Sequence, residues 1–249
     1  MEETLEQEQR YLDRTLSVID EQITEKETEC RRVPTSRVEE QLRQQSVKEL
    51  RSLKVARKNP YFGRLDFQDE FGEETIYIGK KGIQDETDLV VVDWRTDLGE
   101  LYNKYRGVKS EFFVGDDPDH KVTILRKRAI VIEEDRVVKV RDVGKTEVVE
   151  TPEGKKVKRM DPYLEEVLRQ TGDRLQLREI IASIQEEQDE IIRLPLDHTV
   201  IVQGAAGSGK STIALHRVSY LLYQYKERLS PDRVLVLAPN EMFLSYIQG

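Results

Sequence analysis

Residues 199–217 read Thr-Val-Ile-Val-Gln-Gly-Ala-Ala-Gly-Ser-Gly-Lys-Ser-Thr-Ile-Ala-Leu-His-Arg, and they limit the possible folds most sharply. Within them Gly204, Ala205, Ala206, Gly207, Ser208, Gly209, Lys210 and Ser211 fit G-x-x-x-x-G-K-[ST], a P-loop. The spacing has a chemical reason. A triphosphate needs several backbone N–H groups converging on its oxygens, and glycine lets the chain curl that tightly. Lys210 is then placed to reach the β- and γ-phosphates as the catalytic cation, and the Ser211 hydroxyl to hold Mg²⁺. The helix that begins here turns the positive end of its dipole toward the phosphates. With Thr212, these residues are the candidate site for ATP and Mg²⁺.

The flanks follow the order that such a loop requires. Val200-Ile201-Val202 is a β-branched run that predicts a buried parallel strand. After Lys210, Ile213, Ala214, Leu215, Val218, Leu221 and Leu222 recur at helical spacing. Arg233-Val-Leu-Val-Leu-Ala238 reads as a second buried strand, with Pro239-Asn240 capping a helix over 241–247. A β-α-β-α run calls for a parallel sheet with right-handed crossovers. Two strands alone do not make such a sheet stable, so the chain reads as the first part of a longer domain. No apolar strand ending in Asp-Glu follows the loop. Without that carboxylate pair, the chain is expected to bind ATP without hydrolysing it alone. Upstream, Asp161-Pro162 and Asp173 start two helices, and Leu194-Pro195 ends the second. That helix carries Gln185 and Gln188. A glutamine amide complements the N6 amino group and N7 of adenine, so Gln188 is the candidate base reader.

Residues 1–58 have a different character. Leu5, Leu12, Leu16, Ile19 and Ile23 form a coiled-coil-like seam, and Pro34 interrupts it. Ser36-Arg-Val-Glu39 is a capping box that starts a second helix, with Val38, Leu42, Leu50 and Leu53 as a looser apolar face. An antiparallel helical hairpin with arms about 35–45 Å long is expected. It reads equally as a structural or dimerising hairpin and as an arm that probes a partner. Residues 59–160 are rich in short β-runs, at 64–67, 75–78, 89–94, 112–114, 122–125, 129–132 and 137–140, with turns at 115–119 and 151–154. They predict a small antiparallel barrel or sheet. Its basic residues Lys121, Arg126, Lys127, Arg128, Lys139 and Arg141 read as the wet side of that sheet more readily than as a nucleic-acid face. The fold class is therefore α/β multidomain: a helical hairpin over 1–58, a β-rich segment over 59–160, and the start of an incomplete parallel-sheet nucleotide domain over 161–249.

Charge and cysteine usage narrow the function. A net charge of −8 argues against a constitutively basic nucleic-acid coat. The single cysteine, Cys30, excludes an internal disulfide and fits a reducing cytoplasm. No apolar run reaches membrane-spanning length, and Met1-Glu2-Glu3 lacks the features of a signal peptide.

The order of these elements carries a resemblance. Gln188, Gly204 to Ser211, His216-Arg217-Val218-Ser-Tyr-Leu221, and Val234-Leu-Val-Leu-Ala-Pro239-Asn240 resemble the Q motif, Walker A motif and motif Ia of superfamily 1 helicases. Asn59-Pro-Tyr-Phe-Gly-Arg-Leu-Asp-Phe67, Ile76-Tyr-Ile-Gly79, Val92-Asp-Trp-Arg95, Leu101-Tyr102, Ile184-Gln-Glu-Glu-Gln-Asp-Glu-Ile-Ile-Arg193 and Ala214-Leu-His-Arg-Val-Ser-Tyr-Leu-Leu-Tyr223 narrow it to the helicase D (HelD) family. These are bacterial helicase-like ATPases that bind RNA polymerase and release it from nucleic acid. The resemblance implies that 161–249 begins a RecA-like domain. It implies that Lys210 and the loop amides hold phosphates, that Ser211 holds Mg²⁺, and that Gln188 reads adenine. Pro239 and Asn240 would face a single strand of DNA or RNA, and the 1–58 hairpin would enter the secondary channel of RNA polymerase. ATPase activity of the complete protein, a bacterial cytoplasmic or nucleoid-associated location and no membrane partner follow from the same likeness. The alternative is a 3′–5′ DNA helicase or translocase of the UvrD/Rep type, acting in repair or replication. Two departures stand out. Asp93-Trp94-Arg95 is followed by Thr-Asp-Leu where the family usually has Ala-Pro-Ile, and Lys210-Ser211-Thr212 replaces the frequent Lys-Thr-Arg, removing an arginine beside the base.

Overall fold

The structure is a computed structural model. It describes residues 2–86, 88–105, 110–114, 121–143, 148–150, 156–158, 186–204 and 208–237. The chain divides into two compact units between Glu186 and Glu187.

The first unit opens with two helices, α1 (Glu2–Arg31) and α2 (Arg37–Lys58). The capping box forms: Ser36 Oγ accepts the Glu39 N–H at 3.2 Å, and the Glu39 carboxylate accepts the N–H of Thr35 at 2.6 Å. Cross-links between the helices run in opposite directions along them. Glu29 pairs with Ser46, Lys26 with Glu49, Glu27 with Lys54 and Asp20 with Arg57. Leu12, Leu16 and Ile19 of the expected seam are buried in one cluster with Leu53 and Ala56 of α2 and with Tyr61, Tyr77, Ile83, Val90, Val91, Ile130 and Ile132. The seam thus meets the second helix and the strands together, and the aromatic and β-branched side chains of the strands extend the apolar area that covers it. Val38 and Leu42, expected to line the same hairpin, are 65% and 58% exposed.

The strands are β1 (Gly63–Gln68), β2 (Glu73–Gly79), β3 (Ile83–Gln84), β4 (Leu89–Asp93), β5 (Ser110–Phe113), β6 (Lys121–Glu133) and β7 (Arg136–Val143), with a short α3 (Asp97–Lys104) between β4 and β5. They form one sheet in the order β3-β4-β2-β1-β6-β5, with β7 also on β6. One edge of β6 meets β1, and the other is shared between β5 at Lys121–Ile124 and β7 at Lys127–Glu133. The runs 122–125 and 129–132 thus belong to one 13-residue strand. The sheet is mixed, which corrects the antiparallel expectation: Ile78 and Gly79 of β2 run parallel to Val92 and Asp93 of β4. Such a pair needs a crossover, supplied by the chain through β3, and short alternating runs do not encode that pairing. The β6–β7 turn holds Glu134 and Asp135 at φ 48° and 63°, the left-handed pair that matches strand twist. A separate antiparallel pair joins β8 (Val148–Glu150) to β9 (Lys156–Lys158).

A buried polar cluster ties α1 to this sheet. The Glu8 side chain, with no exposed surface, accepts from Arg64 at 2.9 Å, Arg128 at 2.8 Å and the Tyr77 hydroxyl at 2.8 Å. Beside it, Asp66 accepts from Arg64, Arg126 and Thr75. Burial opposes ionisation of Asp66, but the two guanidinium groups outweigh it and hold its pKa below the usual value. Tyr11 stacks on Tyr77 with centroids 3.6 Å apart and donates its hydroxyl to Val90 O.

Among the described residues the second unit holds α4 (Glu186–Arg193), which begins at the boundary, α5 (Lys210–Gln224) and a 3-10 turn at Pro231–Arg233. The two expected parallel strands are not there. Residues 200–202 and 234–237 carry no strand pairing, and Ile201, Leu235 and Leu237 are more than four-fifths exposed. A buried parallel strand needs paired neighbours and covered faces, and the described residues give these two runs neither. The helices expected from Asp161 and Asp173, up to residue 185, and over 241–247 lie outside the described residues, as do the turns at 115–119 and 151–154.

Candidate nucleotide site

The site is built at the start of α5. Gly209 is its N-cap, at φ +81°, a left-handed conformation that costs glycine little. The Ile213 N–H closes the first turn on Gly209 O at 2.9 Å. Among the described residues no side chain caps this end, and its first turn holds no acidic residue. Orphan N–H groups and the positive dipole end therefore face outward, an arrangement suited to an anion. Lys210 stands in that same turn, where a cation opposes the dipole. Lys210 Nζ donates to Gly204 O at 2.9 Å, so the lysine folds back across the loop. A Cβ on Gly204 would lie 2.6 Å from Ser208 Oγ, so the loop closes tightly there.

Gln188 joins this group from α4. A Cβ on Gly209 would sit 3.9 Å from Gln188 Nε2. The structure thus brings Gln188, Gly204, Ser208, Gly209 and Lys210 into one neighbourhood. Ser211 is exposed and Thr212 half-buried in the first turn of α5. Ala205, Ala206, Gly207, Gln185, Pro239 and Asn240 lie outside the described residues. Among the described residues no group of three or more His, Cys, Asp or Glu could hold a metal ion.

Side chains that sequence reasoning passed over brace the site. Arg217 donates to four backbone carbonyls at the end of α4. Arg193 pairs with Asp189 at 2.8 Å and lies 5.1 Å over the Tyr220 ring. The buried stripe of α5 is Ile213, His216 and Tyr220, at helical spacing. The motif reading hid it, because two of these three are polar or amphipathic.

The basic residues of the β-rich segment are committed within the fold. Lys127 and Arg128 are buried, the first over the Tyr102 ring at 4.1 Å and the second on Glu8 and Asp142. Arg126 pairs with Asp66 and Lys121 with Glu111. Lys121 and Arg126 are exposed, as the wet side of a sheet should be, whereas the burial of Lys127 and Arg128 corrects that expectation: their charges are held inside by a ring face and by carboxylates.

A family model described as DNA helicase IV HelD, N-terminal domain, matches residues 5–155, more than half of the chain. The chain belongs to the HelD family. No curated protein matches it. The blocks that mark HelD membership build the fold. Tyr61 is fully buried, a Cβ on Gly63 would lie 2.3 Å from the Tyr102 ring, and Arg64 holds Glu8. Asp93 pairs with Arg95 at 2.6 Å, and buried Trp94 donates its backbone N–H to Gly79 O. The HelD match ends before α4 and the P-loop, so the nucleotide site rests on its own geometry. Among the described residues no helix is long and apolar enough to cross a membrane.

Proposed function

We propose that this chain is the arm-bearing and ATP-binding part of a cytoplasmic HelD-type ATPase that binds RNA polymerase and releases it from nucleic acid. The observation that carries the nucleotide half is the uncapped start of α5. Lys210 there stands against the dipole, beside a left-handed Gly209 with Gln188 over it. In this reading Lys210 and the amides of the loop through Gly209 hold the phosphates. Ser211 holds Mg²⁺, Gln188 meets the adenine, and the chain binds ATP without turnover. Lys210→Ala is expected to weaken ATP·Mg²⁺ binding at least roughly tenfold in calorimetry while the circular dichroism spectrum stays unchanged. Equal binding by both proteins would refute it.

The partner half rests on the distal end of the helical pair. Val33, Val38 and Leu42 are exposed there, and the apolar surface of α1 nearer the N-terminus is already occupied by the sheet. A variant with Val33→Asp, Val38→Asp and Leu42→Asp should fold normally and lose capture of bacterial RNA polymerase in a pull-down. Undiminished capture would remove the arm from the interface.

The description DNA helicase IV favours a second reading, a DNA helicase or translocase whose motif Ia residues Pro239 and Asn240 contact a single strand. It requires DNA-stimulated hydrolysis and strand separation by the complete protein. Polymerase release without unwinding would decide against it.

A further inference from the structure

We propose that Arg217 is a positioning residue for base recognition, fixing through α4 the placement of Gln188 over the P-loop. The inference rests on the nucleotide reading above and extends it to the choice of base. The last carbonyls of a helix have no partner within it. Those of α4 find one on another helix. Arg217 donates one nitrogen to Ile191 O at 3.2 Å, Ile192 O at 3.1 Å and Leu194 O at 2.5 Å, and the other to Pro195 O at 2.9 Å. A planar guanidinium can spread over several carbonyls at once, and its charge complements the negative end of the α4 dipole. Pro195, whose carbonyl is the last of the four, bars the helix from continuing.

The geometry gives the cap a consequence. Lys210, at the start of α5, and Arg217, two turns later, stand on one rigid rod. Gln188 lies on α4, just under one turn before the first of the capped carbonyls. Its Nε2 lies 3.9 Å from the position of a Cβ on Gly209. The distance between the phosphate cradle and the glutamine amide is therefore set by the grip of α5 on α4. The cation–π contact of Arg193 on Tyr220 braces the same pair of helices. A second grip keeps α4 docked when the first is removed, which makes a specific loss measurable. The ligand class distinguished is the adenine nucleotide. An amide held at a fixed height can pair with N6 and N7 of adenine, whereas the O6 of guanine replaces the donor that it needs.

The test is calorimetric titration of the full chain with ATP·Mg²⁺ and GTP·Mg²⁺, for the native protein and for Arg217→Ala, Arg217→Lys and Gln188→Ala. The native chain is expected to prefer ATP. Arg217→Ala should cut that preference at least roughly fivefold, toward the value of Gln188→Ala, with GTP affinity kept within about twofold. Arg217→Lys should recover only part, since one ammonium cannot span four carbonyls. A merely structural role would weaken both nucleotides alike and leave their ratio intact. An unchanged ratio in Arg217→Ala overturns the inference and leaves the nucleotide reading standing, as does equal binding of both nucleotides by the native chain. Failure of the native chain to bind either overturns both.

Discussion

Gly209 shows how much one backbone conformation carries. At φ +81° it turns the loop into α5 and leaves room for Gln188. An alanine there would cost about 1–2 kcal/mol in the left-handed region. Gly209→Ala is therefore expected to lower the melting temperature and to weaken ATP·Mg²⁺ binding together, checked by circular dichroism and calorimetry on one preparation. Asp66 gives a pH signature. Its folded pKa lies below the usual carboxylate value because Arg64 and Arg126 outweigh its burial. Its contribution is full above about pH 4 and disappears as pH falls from there through the lower folded value. Acid titration of folding should thus steepen below about pH 4, and Asp66→Asn should flatten that limb while lowering stability at neutral pH. The P-loop residues were legible in the sequence because their chemistry demands fixed types at fixed spacing. Glu8, Arg64 and Arg128 were not, because each is an ordinary polar residue until folding brings positions far apart in the chain within hydrogen-bonding distance.

At the scale of elements, α1 does two jobs. Its stretch from Glu8 to Ile19 is a core element, with Leu12 and Ile19 fully buried and Glu8 bonded beneath. Its C-terminal half is held mainly by exposed or half-buried ion pairs to α2, each worth about 0.2–1 kcal/mol. Glu8→Ala would leave two buried guanidinium groups short of an anion, at a cost of about 3–5 kcal/mol. The expected outcome is a large drop in the denaturant midpoint, much smaller for Leu42→Ala at the exposed end. The helical spacing of Leu12, Leu16 and Ile19 announced an apolar stripe, and the structure has one. Periodicity describes one face of a helix and carries no information about what covers it, which is why a helix–helix seam was expected where Leu53 and Ala56 of α2 and the sheet cover the stripe together.

For the molecule as a whole, the helices and sheet of the first unit share one core across residue 58. Removing residues 1–58 should therefore unfold the sheet, seen as loss of β-signal and of cooperative melting, and a pull-down with such a truncation would report unfolding, not an interface. The chain by itself determined the two helices and the position of most strands. These depend on local rules: periodicity, capping, turn residues, and backbone freedom at glycine. Tertiary structure alone decided the parallel pairing of β2 with β4, the buried ion cluster beneath α1, and the grip of Arg217 on α4. It also left the two apolar runs at 200–202 and 234–237 unpaired. Each depends on which surfaces meet, and a strand or a charge acquires its role only from the neighbour that covers it.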